Sequence, residues 1–429
     1  MSTAAEGTPV NGQASTRRGL AAVGLALVIV LIAINLRAFL TASSPLLGEI
    51  RGATGLGFQG AALLTVLPMF AMGPLSLAGV ALAQRIGERA AMGLGLAAIA
   101  LACASRWLAG SPAALMGSAA LAGLGAGLVQ ALMPAIIKRA YPVGMGVVMG
   151  LYSSALMGGG GLGAMGGPWI ARWAGDWHAG LAFWALPAVL ALAAWALAGR
   201  AALLPVAAPV GTASGERGWL QCFSNRRAWL LALYFGLLNG GYTSLVAWLP
   251  PAFAQQGWSP QAAGALLALM TAAQVVAAFA VPALARGRRE LRPWLAAMLL
   301  VQLAGFAGLM LKLSPAPPVV ALLGFGLGGG FSLAMVLALD HLPDPSQAGT
   351  LAAFMQCFGF MIAALAPFVT GGVRAATGSF DGAWGWLAVV VVLLLALTWR
   401  FDPRRHARAT RGLFGTRQGL PLPAAVVSR

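Results

Sequence analysis

The chain has 429 residues, of which 59% are hydrophobic and only 9% charged, and its mean hydropathy is +0.83. Soluble domains carry about a quarter charged residues, so the composition excludes an ordinary soluble enzyme. The net charge of +17 would suit a nucleic-acid binder, but the basic residues sit in short loops and tails between apolar runs, and that partner is excluded. Cys103, Cys222 and Cys357 are dispersed without ligand spacing, so neither a disulfide framework nor a metal cluster is expected.

Arg17-Arg18 stands before a long apolar run, as in an export signal. The run continues to about Leu47, too long for a cleavable segment, and predicts an uncleaved first helix. At about twenty apolar residues per crossing, helices are expected over 20–47, 58–83, 90–108, 113–137, 143–170 and 180–198. A second set follows over 228–250, 262–284, 293–311, 318–339, 348–373 and 383–398. The expected organisation is a tail at 1–18, six helices at 19–199, a linker at 200–227, six more helices at 228–400, and a basic, unstructured tail at 401–429.

The fifth predicted helix contains GLYSSALMGGGGLGAMGGPW from Gly150. Its Gly161, Gly163 and Gly166 have dinucleotide-fingerprint spacing, but that motif needs a preceding strand and a later acidic residue. Inside an apolar span the glycines read instead as a close-packing helix face. The stretch has a counterpart: Gly150 and Pro168 are spaced as Gly349 and Pro367, 199 positions later. Gly123, Gly125 and Gly127 recur as Gly324, Gly326 and Gly328, and Asn35 recurs as Asn239. Ordered pairs at nearly constant offset predict two homologous halves, an all-α membrane protein of twelve helices related by an axis along the membrane normal.

Basic residues concentrate on the N-terminal side, at Arg85, Arg89, Lys138, Arg139, Arg226, Arg227, Arg286 and Arg292 among others. Only Arg51, Arg106, Arg172, Lys312 and Arg374 fall opposite, which predicts that both termini are cytoplasmic. The loop Gln84-Arg85-Ile86-Gly87-Glu88-Arg89 resembles the Asp-Arg-x-Gly-Arg-Arg loop of the major facilitator superfamily, with Gln84 in place of the aspartate and Glu88 in place of an arginine.

An ionisable side chain within a span is a candidate functional group. Arg37 is the one that stands clearly inside, with Thr41 and Ser44 on its face of the helix and Asn35 beside it. No interior Asp or Glu is available to neutralise it, and its repeat equivalent is Gly241, which leaves a single positive charge. A planar guanidinium suits a carboxylate-like anion, so a small monovalent anion is the expected cargo. The neutral candidates for substrate binding are Gln130, Tyr152, Asn239, Tyr242, Thr271, Gln274 and Gln356. Arg85, Arg89, Lys138, Arg139 and Asp340 are candidate gating residues, Asp340 latching to Arg139 when the cytoplasmic side closes. No catalytic residue, cofactor or metal is expected, and no Walker motif is present for direct use of ATP.

The runs AALLTVLP from Ala61, VQALMPAIIKR from Val129, SALMGGGGLG from Ser154, YFGLLNGGYTSLVAWLP from Tyr234, GALLALMT from Gly264 and ALDH from Ala338 resemble the bacterial cyanate permease family. That family lies within the major facilitator superfamily and includes cyanate and nitroimidazole transporters. The resemblance implies twelve helices, an inner-membrane location and movement of a small anion or a planar polar molecule by alternating access. Cyanate is the expected cargo and the protein is expected to be a monomer in the lipid bilayer. A neutral planar heterocycle as cargo, or a membrane receptor without flux, are the alternatives.

Overall fold

The computed structural model describes residues 10–141, 145–200, 218–285, 288, 290–342, 345–410 and 413. Among these the regular structure is helical, without a strand. Twelve long helices carry it: α1 (Val10–Thr41), α2 (Phe58–Ile86), α3 (Glu88–Ser105), α4 (Pro112–Ala140), α5 (Met145–Ala174), α6 (Ala185–Arg200), α7 (Arg226–Ala254), α8 (Pro260–Leu284), α9 (Arg292–Met310), α10 (Ala316–Leu339), α11 (Pro345–Thr377) and α12 (Phe380–Thr398). Their starts follow local chemistry. Ser111, Asn225, Ser259 and Ser379 cap α4, α7, α8 and α12 by accepting from first-turn amides, and prolines occupy the first turns of α4, α8 and α9.

Two predicted helices are broken. The first stops at Thr41, because Pro45 disfavours helical geometry just before it, and the chain resumes as a separate helix, Leu47–Thr54. That eight-residue piece is bent by 117° from the start of α2. It spans about 12 Å and cannot cross a bilayer by itself. The sixth begins as a short helix, Trp177–Ala182, capped by Asp176, before α6. By length and hydropathy, ten helical stretches among the described residues suffice to cross a membrane, or eleven if the bent pair counts as one. The 30-residue α5 is packed between α1 and α8.

The helices pack as two pseudo-symmetric sets of six. The pairs α1–α5, α2–α4, α3–α4 and α3–α6 recur six helices later as α7–α11, α8–α10, α9–α10 and α9–α12. The sets meet through α2–α11 and α5–α8, which the same symmetry exchanges. The repeated glycines explain the correspondence. A Cβ at Gly123 or Gly127 would overlap the backbone of Pro68 or Met72 in α2, while one at Gly125 would strike Gly95 of α3. Likewise Gly324 and Gly328 face the backbone of Met270 and Gln274 in α8, and Gly326 faces Met298 of α9. Alternate glycines on α4 and α10 thus let each press on two neighbours at once. Five ion pairs are described, Glu88–Arg139, Asp176–His178, Glu290–Arg292, Lys312–Asp381 and Asp402–Arg405, and each lies within one set of six.

Gly123→Ala and Gly324→Ala should each destabilise the protein by about 1–3 kcal/mol, the usual cost of overpacking. Gly158→Ala, with nothing within 4 Å of the added carbon, should be neutral or gain about 0.5–1 kcal/mol from helix propensity. Thermal unfolding of the detergent-purified variants measures the contrast; equal midpoints for all three would refute the packing role.

Candidate functional site

Arg37 lies near the end of α1 and is only 6% exposed. Its position is set by how α1 rests on α5. Gly159 and Gly163 admit the α1 backbone at Ile34 and Ala38, and Thr41 Oγ1 donates to the Gly160 carbonyl at 2.6 Å. The Arg37 guanidinium donates to Met69 Sδ at 3.5 Å and lies 5.6 Å from the Tyr242 ring centroid and 6.0 Å from that of Phe360. Aromatic faces and a thioether are attractive to a cation but carry no formal charge. No carboxylate pairs with it among the described residues.

A cavity of about 430 Å³ opens beside Arg37. Gln130 of α4, Tyr152 of α5, Asn239 and Tyr242 of α7, Gln274 of α8 and Gln356 of α11 line it, so seven of the nine predicted binding residues, Arg37 included, border one cavity. Its lining reaches Gly150, Pro282 and Val336, close to the ends of α5, α8 and α10 that lie on the face carrying the N-terminus. On the opposite face the sets touch: Gly264 of α8 admits the Ala164 carbonyl of α5, Gln261 donates to the Pro168 carbonyl at 3.3 Å and Ser44 donates to Ala247 at 3.2 Å. The cavity is therefore closed on that side. The described acidic residues all lie at helix ends or in loops, and none lines it. Gly241, the repeat equivalent of Arg37, faces Phe306 and Leu327 and adds no second charge.

Asn35 and Thr271 stand outside this lining. Asn35 is two residues from Arg37 and so points away from it around the helix; its amide donates to the Leu31 carbonyl at 2.7 Å and to the Pro187 carbonyl of α6 at 3.2 Å. Thr271 donates to the Leu267 carbonyl within α8 and faces Gly161 of α5. Thr41 and Ser44, expected to extend a polar stripe, bind α5 and α7 instead. The aromatic Phe360 and the hydroxyls of Ser153, Ser154 and Ser332 join the lining without having been singled out. Phe360 was accessible to pattern reading, being one turn from Gln356 on the same face of α11. Helices α5, α8 and α11 line the cavity together with α1, α4, α7 and α10.

Two further arginines are buried. Arg106, counted above among the few basic residues of the opposite face, is 3% exposed. Its guanidinium donates to the Phe39 carbonyl at 2.9 Å and to Ser118 Oγ at 3.1 Å, which satisfies an orphan carbonyl where α1 ends. Arg227 donates to His341 Nε2 at 3.0 Å and to the Arg400 carbonyl at 2.8 Å, and stands over Phe401.

The gating candidates separate. Arg85 and Arg89 are exposed, and the Arg89 carbonyl accepts from Trp195. The Lys138 side chain lies outside the described residues. Arg139 pairs with Glu88, so the loop's own acid holds it while Asp340 is exposed, and the latch between them is not formed in this state. The C-terminal segment, expected to be unstructured, is folded over 401–410. Phe401 and Thr410 are buried, Asn225 donates to Ala409 at 3.2 Å, and His406 stacks on His341 with centroids 3.8 Å apart.

Burial holds His341 down to about 3 and lowers His406, where Arg227 opposes a further charge; Asp340 and the more distant Glu290 act in the other direction. Both rings favour the neutral form when docked. Docking is therefore fully favoured above the free histidine value, about 6.5, and is lost as pH falls from there toward 3. A spin label at Arg408→Cys should be immobilised at pH 7.5 and freed on acidification. Adding His406→Phe, which keeps the stack without that titration, should shift release to lower pH; equal mobility of the label at both pH values without it would refute the coupling.

The family model of the Major Facilitator Superfamily matches residues 25–367. The cyanate transport protein CynX of Escherichia coli (strain K12) is 45% identical over 380 residues, covering 88% of this chain and 97% of that protein. The 2-nitroimidazole transporter of the same organism is 28% identical over 371 residues, covering 85% and 92%. Among solved structures, a bacterial homologue of the human lysosomal transporter Spinster, in an inward-facing and unoccupied conformation, superimposes with a TM-score of 0.76 at 15% identity, covering 91% of this chain and 98% of that one.

Proposed function

The chain belongs to the major facilitator superfamily, to the family of the cyanate transport proteins, and on that premise we propose that it carries a small monovalent anion, cyanate foremost, by alternating access. The proposed setting is the bacterial inner membrane, both termini in the cytoplasm, so the cavity faces inward. The observation that carries the reading is Arg37, the buried positive charge at the head of the cavity, with no carboxylate against it. An arriving anion supplies the missing partner, and the amides of Gln130, Gln274 and Gln356 with the hydroxyls of Tyr152 and Tyr242 offer neutral donors around it. The reading involves no catalysed bond change, cofactor or metal, and needs only one copy of the chain.

One observation favours a second cargo. The Tyr242 and Phe360 rings and a volume of about 430 Å³ would accept a flat heterocycle far larger than a triatomic anion. Anion charge and ring stacking are separable by mutation. Arg37→Ala should lower the apparent affinity for labelled cyanate in proteoliposomes about 10- to 100-fold, the equivalent of about 1.5–3 kcal/mol for a charged hydrogen bond. Phe360→Leu should spare cyanate uptake and weaken any heterocycle. Cyanate uptake unchanged by Arg37→Ala would sink the anion reading.

A further inference from the structure

The charge at the head of the cavity also constrains which steps the carrier can make, and this inference rests on the anion reading above. In the state described, the cavity reaches the face of the N-terminus, and water can enter it and hydrate the Arg37 guanidinium. Alternating access requires an intermediate in which both faces are closed. The guanidinium's neighbours in the state described, Met69, Tyr242 and Phe360, contribute no negative charge, and closing both faces takes its water away. An unpaired charge deprived of water is strongly unfavourable, whereas the same charge beside a bound anion is not. A guanidinium cannot escape the problem by shedding its proton. No described carboxylate lies in the cavity to take the anion's place when the site is empty. Arg106, the other arginine buried where α1 ends, is held by the Phe39 carbonyl and Ser118 outside the cavity and needs no substrate.

We infer that the empty carrier cannot readily reorient, and that the protein is an exchanger: each monovalent anion delivered must be replaced by another before the binding site returns. The exchange is one for one and electrically neutral, because one site charge accommodates one anion in either direction. The counter-anion needs only a single negative charge and a size the cavity admits. A carrier with an interior carboxylate beside the arginine would form an internal pair when empty and could return alone; no such carboxylate stands beside Arg37 among the described residues.

The test uses the full-length protein in liposomes with labelled external cyanate. Vesicles loaded with cyanate, nitrate or formate should take up label at least tenfold faster than vesicles loaded with an impermeant buffer. Uptake into cyanate-loaded vesicles should not change when a potassium diffusion potential is imposed. Net uptake as fast as exchange, or exchange accelerated by an inside-positive potential, would overturn the inference while leaving anion transport intact. No saturable anion flux in any mode would overturn the transport reading itself.

A second measurement needs no flux. Ser44 is buried between α1 and α7 on the closed face. In a background with the three native cysteines replaced, Ser44→Cys should react slowly with an impermeant maleimide unless cyanate is present. Adding Arg37→Gln should make the reaction fast without any anion, because the empty site no longer carries a charge. An anion-independent rate with Arg37 in place would count against exchange; a purely structural role for Arg37 would leave the rates insensitive to cyanate in both proteins.

Discussion

Close approach of helix backbones at glycine holds this bundle together, because lipid supplies no hydrophobic force to drive one apolar helix against another. Dispersion then does most of the work, and it falls off steeply once surfaces separate. Gly123 and Gly127 on α4, and Gly324 and Gly328 on α10, bring those helices against the main chains of α2 and α8. The intervening Gly125 and Gly326 do the same for α3 and α9. In each half one helix, α4 or α10, is thereby held between two neighbours by small residues on two faces.

The same device positions the charge. Helix α5 carries four consecutive glycines, and they do not serve one neighbour: Gly159 turns to α1, Gly160 to Arg37 and Tyr242, and Gly161 to α8. A helix clamped this closely to α1 fixes the height of Arg37, and the Thr41 hydrogen bond to Gly160 adds a polar contact to the clamp. At the same end of α1, Arg106 closes the helix by donating to the Phe39 carbonyl. The height of the guanidinium is therefore set by the rigid pairing of α1 with α5. The tyrosine and phenylalanine come from the other half, on α7 and α11, so the two halves share the site.

Much of this could be read from the residues alone. Twelve apolar runs give twelve helices, and the constant offset between glycine motifs corresponds to equivalent packing in the two halves. Arg37 and six neutral residues of the cavity were visible because polar groups are rare in such a chain. What pattern could not supply was direction. Asn35 and Arg37 look like neighbours in sequence but leave opposite sides of α1. Arg106 looked like a topology signal because it sits at a helix end, yet the backbone beside it needs a donor there. The folded C-terminal segment was hidden because its basic composition outweighs the few residues that dock it, Phe401, His406 and Thr410. Loop charges proved the least legible, since an exposed and a paired arginine have the same signature in sequence, as Arg85 and Arg139 show.

The seam between the halves has a physical character of its own. Each of the five described ion pairs stays inside one half, and the closed face is held by Gly264 against Ala164 and the two hydrogen bonds from Ser44 and Gln261, while Gly73 meets Cys357 nearer the middle of the bundle. Interlocked backbones of this kind are governed by volume: opening them creates space that must be filled by water or lipid tails. The balance between inward and outward states therefore couples to the mechanics of the bilayer, through its lateral pressure and thickness. The membrane acts as a working part of the transporter, and its composition helps decide which way the protein faces.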